Sequence, residues 1–123
     1  MMTLAEILNQ CARTGAWGGT KIVSLDQRND LGDTPLHTVC SWGDVDAVKV
    51  LVAAGADVNA VGDGGATPLV NAIIGGNPNV VEFLLSQGAD RRVKVFGTTT
   101  LVEYAKNVGA NAKVIRLLDA KRK

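Results

Sequence analysis

Two stretches of this chain copy one another at a spacing of 33 residues. "DTPLHTVCSWGDVDAVKVLVAAGADVNA" runs from Asp33 to Ala60, and "ATPLVNAIIGGNPNVVEFLLSQGADRRV" from Ala66 to Val93. They set Thr34 against Thr67, Pro35 against Pro68, Leu36 against Leu69, Gly43 against Gly76, Leu51 against Leu84, Gly55 against Gly88 and Asp57 against Asp90. A third copy starts at Thr100 and is expected to hold the same register to its end, with Gly109 answering Gly76, Val114 answering Val81 and Leu117 answering Leu84. A fixed period of this length marks one supersecondary unit that is stacked several times. Ahead of the copies, "IVSLDQRNDLG" has the length and the Gly32 of a preceding hairpin, and "TLAEILNQCARTG" predicts one helix.

Each unit has a physical reading. Thr34 caps a helix and Pro35 occupies its first turn, where a missing N–H does no harm. Leu36, Val39 and Cys40 then make an i, i+3, i+4 apolar face, and Gly43 ends the run. A second helix follows with Val48, Leu51 and Val52 inward and Asp46 and Lys49 outward, closed at Gly55. "VNAVGDGGA" supplies a turn long enough for a projecting hairpin. Fourteen glycines fit many short elements with frequent stops, and with 4% aromatic residues the core must be aliphatic. Two short helices cannot bury their apolar faces alone, but stacked copies can.

Thr34-Pro35-Leu36-His37, then Gly43, Leu51 and Gly55-Ala56-Asp57-Val58-Asn59, resembles the ankyrin repeat over about residues 23–120. The resemblance implies an all-α ankyrin-repeat solenoid, stacked helix–turn–helix units with β-hairpin loops, in a single domain. Its expected parts are an N-terminal capping repeat (1–28), two regular repeats (29–61 and 62–94) and a C-terminal capping repeat (95–123). Three residues depart from the pattern. Val70 replaces the histidine, Leu101 replaces the proline, and Lys121 stands where Gly55 and Gly88 stand in the earlier copies.

Chemistry-bearing residues are few. His37 and Cys40 lie three apart and Cys11 is free, so a thiol- or metal-dependent enzyme is the remote alternative. The chain has one histidine and no cysteine pair at zinc-ligand spacing, and the resemblance implies that His37 pins neighbouring turns by hydrogen bonds. "GDGG", Gly62 to Gly65, lacks the phosphate-loop pattern and reads as a turn. No enzyme activity, metal or cofactor is expected. Two cysteines make no disulfide framework, and a reduced, cytoplasmic setting follows. No stretch looks like a signal peptide or a membrane span, and a net charge of +1 gives no global attraction to nucleic acid.

The charge is nevertheless segregated. Residues 1–63 hold eight acidic and four basic side chains, and residues 64–123 hold four acidic and nine basic ones, including the tail Lys121-Arg122-Lys123. The resemblance implies that hairpin tips and the concave face bind a partner protein. The matching positions are Asp30, Leu31, Asp33, Ser41 and Trp42 in the first unit, Asp63, Ala66 and Ile74 in the second, and Phe96, Thr99, Asn107 and Val108 in the third. Trp42 either covers the next unit's helix end or faces outward, and the second is expected, as the anchor of an apolar stripe with Leu31, Ile74 and Phe96. Trp17 is expected to plug the N-terminal cap. A chain running from Met1 to a basic end is expected to act alone and to be monomeric when free. It would bind another protein as a small inhibitor or immunity protein, or alternatively as a structural subunit or adaptor.

Overall fold

A computed structural model describes residues 2–119; the departure at Lys121 and the basic tail Lys121-Arg122-Lys123 lie outside the described residues. The helices are α1 (Leu4–Ala12), α2 (Pro35–Ser41), α3 (Val45–Ala53), α4 (Pro68–Gly75), α5 (Pro78–Ser86), α6 (Leu101–Asn107) and α7 (Ala112–Asp119). A two-residue hairpin, β1 (Lys94–Val95) with β2 (Thr99–Thr100), precedes α6. Among the described residues no helix is long and apolar enough to cross a membrane.

Local chemistry sets these boundaries. Thr3 and Glu6 make a capping box at α1, with bonds of 2.8 and 3.2 Å, and Thr100 and Glu103 make another at α6. These bonds hold both glutamates below their ordinary carboxylate pKa. Pro35, Pro68 and Pro78 each stand at the first turn of a helix. The chain leaves α2, α4 and α6 through Gly43, Gly76 and Gly109, at φ 72, 77 and 76°. Side chains with a Cβ avoid that region, which explains glycine at all three.

Helices stack in two rows. α2 packs on α4 and α4 on α6; α3 packs on α5 and α5 on α7; α1 closes the N-terminal end against α2 and α3. Leu36, Val39, Val48, Leu51, Leu69, Ile73, Val80, Val81, Leu84 and Leu101 are buried between them, each stabilising by about 1.5–3 kcal/mol through burial. Leu101 fills the slot of Pro35 and Pro68. Trp17 is buried in the N-terminal cap, its indole N–H donating to Thr38 Oγ1 at 2.9 Å.

One expectation needs correction. The third unit does not keep its register to the end. One extra residue follows Gly109, so Asn111 rather than Ala110 precedes the last helix, and Leu118 rather than Leu117 is buried in the place of Leu84. The expected hairpin loops are formed to different extents. Asn29 N–H donates to Asp33 O at 2.9 Å, and Gly62 N–H to Ala66 O at 2.7 Å. These correspond to the Val95–Thr99 pair of the β1–β2 ladder. The second tip is a single 3₁₀ turn, Asp63–Gly65.

Asparagines tie one unit to the next. Asn77 caps α5 by accepting from Asn79 N–H and donates to Gly43 O at 2.8 Å. Asn111 accepts from Val114 N–H and donates to Gly76 O at 3.3 Å. Asn59 donates to Gly88 O and accepts from Asp90 N–H.

Candidate functional site

The loop tips are fastened side by side. Arg28 Nη1 donates to Gly32 O and Val61 O, both at 2.6 Å, joining the first tip to the second loop. Asp63 N–H donates to Asp33 Oδ1 at 3.2 Å, and Phe96 N–H donates to Gly64 O at 2.8 Å. Phe96 adopts φ 55°, a conformation that bulky side chains rarely take. Its ring lies over Gly64, where an added Cβ would come within 2.5 Å of it. The ring is thus seated on bare backbone and remains 73% exposed.

His37 sits beneath these tips, fully buried. Its Nε2 lies 3.0 Å from Ala66 O; a carbonyl only accepts, so Nε2 carries the proton. Nδ1 therefore accepts, from Thr34 N–H at 3.0 Å and from the Thr34 hydroxyl at 2.9 Å. Burial lowers the His37 pKa, outweighing the bond to Ala66 and the neighbouring Asp33 charge, which raise it. Both ring nitrogens are occupied by structural bonds. Cys11 and Cys40 are buried too. Burial pushes the Cys11 thiol up to about 12 and the Cys40 thiol higher still, so neither supplies a thiolate at neutral pH. Among the described residues no three His, Cys, Asp or Glu side chains are grouped to hold a metal.

Above His37 runs an open recess. Asp33 and Asp63 line one end, and Ala66, Ile74 and Phe96 continue it. A second recess shares Ile74 and adds Val108. Five of the expected positions thus meet in one place and a sixth adjoins it. Ile74 is 56% exposed and Val108 47%. Tyr104 lines both recesses and was missed by the sequence reading, although it stands 33 residues after Asn71, another lining residue. An aromatic at a position whose counterpart, Thr38, is small and buried was the available signal.

The other expected positions lie elsewhere. Asp30 borders a separate recess with Trp17 and Asn29. Leu31, Ser41 and Asn107 are exposed but line neither recess, and Thr99 is engaged in the hairpin pair with Val95. Ser41 directs its hydroxyl to Thr38 O at 2.6 Å. Trp42 lines neither recess. It is the C-cap residue of α2, it is half-buried, and it packs against the hydrophobic core rather than standing out as the centre of a stripe. The short helix did not leave its last turn free, because α4 comes up against that turn: a Cβ on Gly75 would lie 2.6 Å from Cys40 O and 3.2 Å from Ser41 O.

This geometry accords with known proteins. A family model described as ankyrin repeats (3 copies) matches residues 8–95, which takes in part of the cap and stops short of the last helix pair. Mouse protein phosphatase 1 regulatory subunit 27 is 41% identical over 69 residues, 56% of this chain and 45% of that protein. Myotrophin of Xenopus tropicalis is 45% identical over 60 residues, 49% of this chain and 51% of that protein. Human BCL-6 corepressor-like protein 1 is 32% identical over 81 residues, 66% of this chain but 4% of that protein. The chain thus spans about half the length of the first two and a small fraction of the third. The repeated Thr-Pro-Leu helix starts, the two stacked helix rows and the family match agree: the chain belongs to the ankyrin-repeat family, whose repeats are protein–protein interaction modules.

Proposed function

We propose that this protein is a non-enzymatic adaptor or regulatory subunit that docks one partner protein in the recess between its loop tips and its first-helix row. The observation that carries this reading is the gathering of exposed Ile74, Phe96 and Val108 along two joined recesses. Apolar side chains held open to water at neighbouring positions mark an interaction surface. The position of the surface along three units fits a rigid, preformed binding face, which lowers the ordering cost of association. Relatives carrying "regulatory subunit" and "corepressor-like" in their names favour a regulatory role over the narrower immunity role, which no observation favours. The thiol- or metal-dependent alternative loses its basis, since His37 is fully engaged and both thiols are buried. Two buried thiols suit a reducing, cytoplasmic setting.

The test is a pull-down from the source cell with wild-type protein and with Ile74→Asp as baits. Ile74 is exposed, so the variant should melt at the wild-type temperature. A protein retained by wild type and lost with the variant supports the reading. Equal retention on both baits, or none on either, refutes it.

A further inference from the structure

Resting on that binding reading, we infer that the recess receives a segment of a partner protein carrying a lysine or arginine beside apolar side chains, the cation meeting Asp33 and Asp63 and the apolar groups meeting Ile74, Tyr104 and Phe96. The argument is one of complementary charge. Both aspartates line the same recess, and no basic side chain lines it with them. The nearby base, Arg28, is spent on two backbone carbonyls, and the ion pair found among the described residues, Arg92 with Asp90, is elsewhere. Asp33 is held in place by the Asp63 N–H, so the acidic end is already positioned when a partner arrives.

The rest of the recess selects what accompanies the cation. Phe96 is held open at φ 55° over Gly64, and Tyr104 stands half-buried at the junction of the two recesses. An aromatic ring next to carboxylates suits a guanidinium, which stacks on the ring while its N–H groups reach the carboxylates. Ile74 and Val108 extend an apolar floor away from the acids, so the partner's apolar side chains lie on that side of its cation. Paired carboxylates repel phosphates, which turns this face away from nucleic acid and anionic lipid.

The experiment selects a displayed library of random linear peptides on the full chain. Enriched peptides are then synthesised and titrated by fluorescence anisotropy against wild type, Asp63→Asn, the double variant Asp33→Asn/Asp63→Asn, and Ile74→Ser, each checked for an unchanged melting midpoint. Asparagine keeps the Oδ1 acceptor at residue 33, and exposed Asp63 alone serves if the double variant melts early. The expected peptides carry Lys or Arg adjacent to Leu, Ile or Phe. They lose at least about tenfold in affinity on the asparagine variants and on Ile74→Ser, and weaken in high salt. Peptides without a basic residue, or ones that lose affinity on Ile74→Ser but not on the asparagine variants, overturn the inference while leaving the binding reading intact. Peptides indifferent to every variant, or no enrichment at all, overturn both.

Discussion

Replacing Thr67 with valine should make the protein more stable, although it deletes a polar group from a helix cap. Thr34 and Thr67 hold equivalent places at the starts of α2 and α4, and both are buried. The Thr34 hydroxyl meets His37 Nδ1 at 2.9 Å. Three residues after Thr67 stands Val70, which offers no such acceptor, and Thr67 Oγ1 is buried without a hydrogen-bond partner. Thr67 also makes no side-chain cap bond to its helix, so the usual loss of about 1 kcal/mol on removing a capping threonine does not apply. A buried hydroxyl left unpaired costs about 1–3 kcal/mol, and a methyl group in its place removes that cost. Discounting for altered packing, Thr67→Val should gain about 1 kcal/mol, a rise of about 3–5 °C in melting midpoint for a domain of this size. Thr34→Val should lose about 1 kcal/mol, since it strips a bond from His37. Urea denaturation of the two variants, with m-values compared to confirm an unchanged unfolding transition, reads both signs. If Thr67→Val is neutral or destabilising, the hydroxyl has a partner in solution and the orphan-group reasoning fails.

Leu51→Ala should cost about 2–5 kcal/mol by lost burial and a residual cavity, measured by chemical denaturation. Lys49→Ala should cost about 0.5–1 kcal/mol rather than nothing, because Lys49 Nζ lies 5.6 Å from the centre of the Phe83 ring; a loss equal to that of Leu51→Ala would invert the inside–outside assignment. His37 has a folded pKa below its ordinary 6.5, so the unfolded chain takes up the proton first as pH falls. Its contribution is present above about pH 6.5 and is lost below it, by at most about 1.4 kcal/mol per pH unit. Thermal melts between neutral pH and pH 5 should show this decline in wild type and not in His37→Gln. Gly75→Ala should destabilise by about 1–3 kcal/mol, since its Cβ meets backbone on the facing helix end; a stabilised variant, as helix propensity alone would give, would mean that α4 can back away from α2.

Much of the fold was legible because each repeat writes its own punctuation. Thr-Pro fixes where α2 and α4 start, and glycine at Gly43 and Gly76 fixes where the chain turns. The register slip after Gly109 was hidden, since Val114 is apolar and buried under either alignment, and Leu117 and Leu118 are adjacent leucines. Deciding between them needed the cap at Asn111, whose amide bonds Gly76 O across the unit boundary. The asparagine ties escaped for the same reason: a cap within one helix can be read along the chain, but its second bond reaches a residue 34 or 35 positions away. At the site, tip positions such as Asp63 and Phe96 were named because the family resemblance implies binding at hairpin tips, and the 33-residue period carries that place from unit to unit. What the period leaves open is how closely successive helices approach, and that decides which end-of-helix side chains remain in water.

Trp42 shows the consequence. In the 33-residue frame it matches Gly75 and Val108, a tryptophan, a glycine and a valine in turn. Glycine at the middle position lets α4 press against the last turn of α2, and with that turn covered the indole packs on the core. The exposed apolar side chains that line the two recesses come from the later positions Ile74, Phe96 and Val108, while the recess acids come from the earlier tips, Asp33 and Asp63. Packing and binding should separate on this basis. Trp42→Ala should lower stability by roughly 1–3 kcal/mol, less than a fully buried ring would cost, and once folded it should hold the same peptides as wild type. Ile74→Ser should do the reverse, keeping its midpoint and losing the peptides. Calorimetric affinities and melting midpoints on both variants decide the matter. A Trp42→Ala protein that melts normally and binds weakly would return the indole to the centre of the interface.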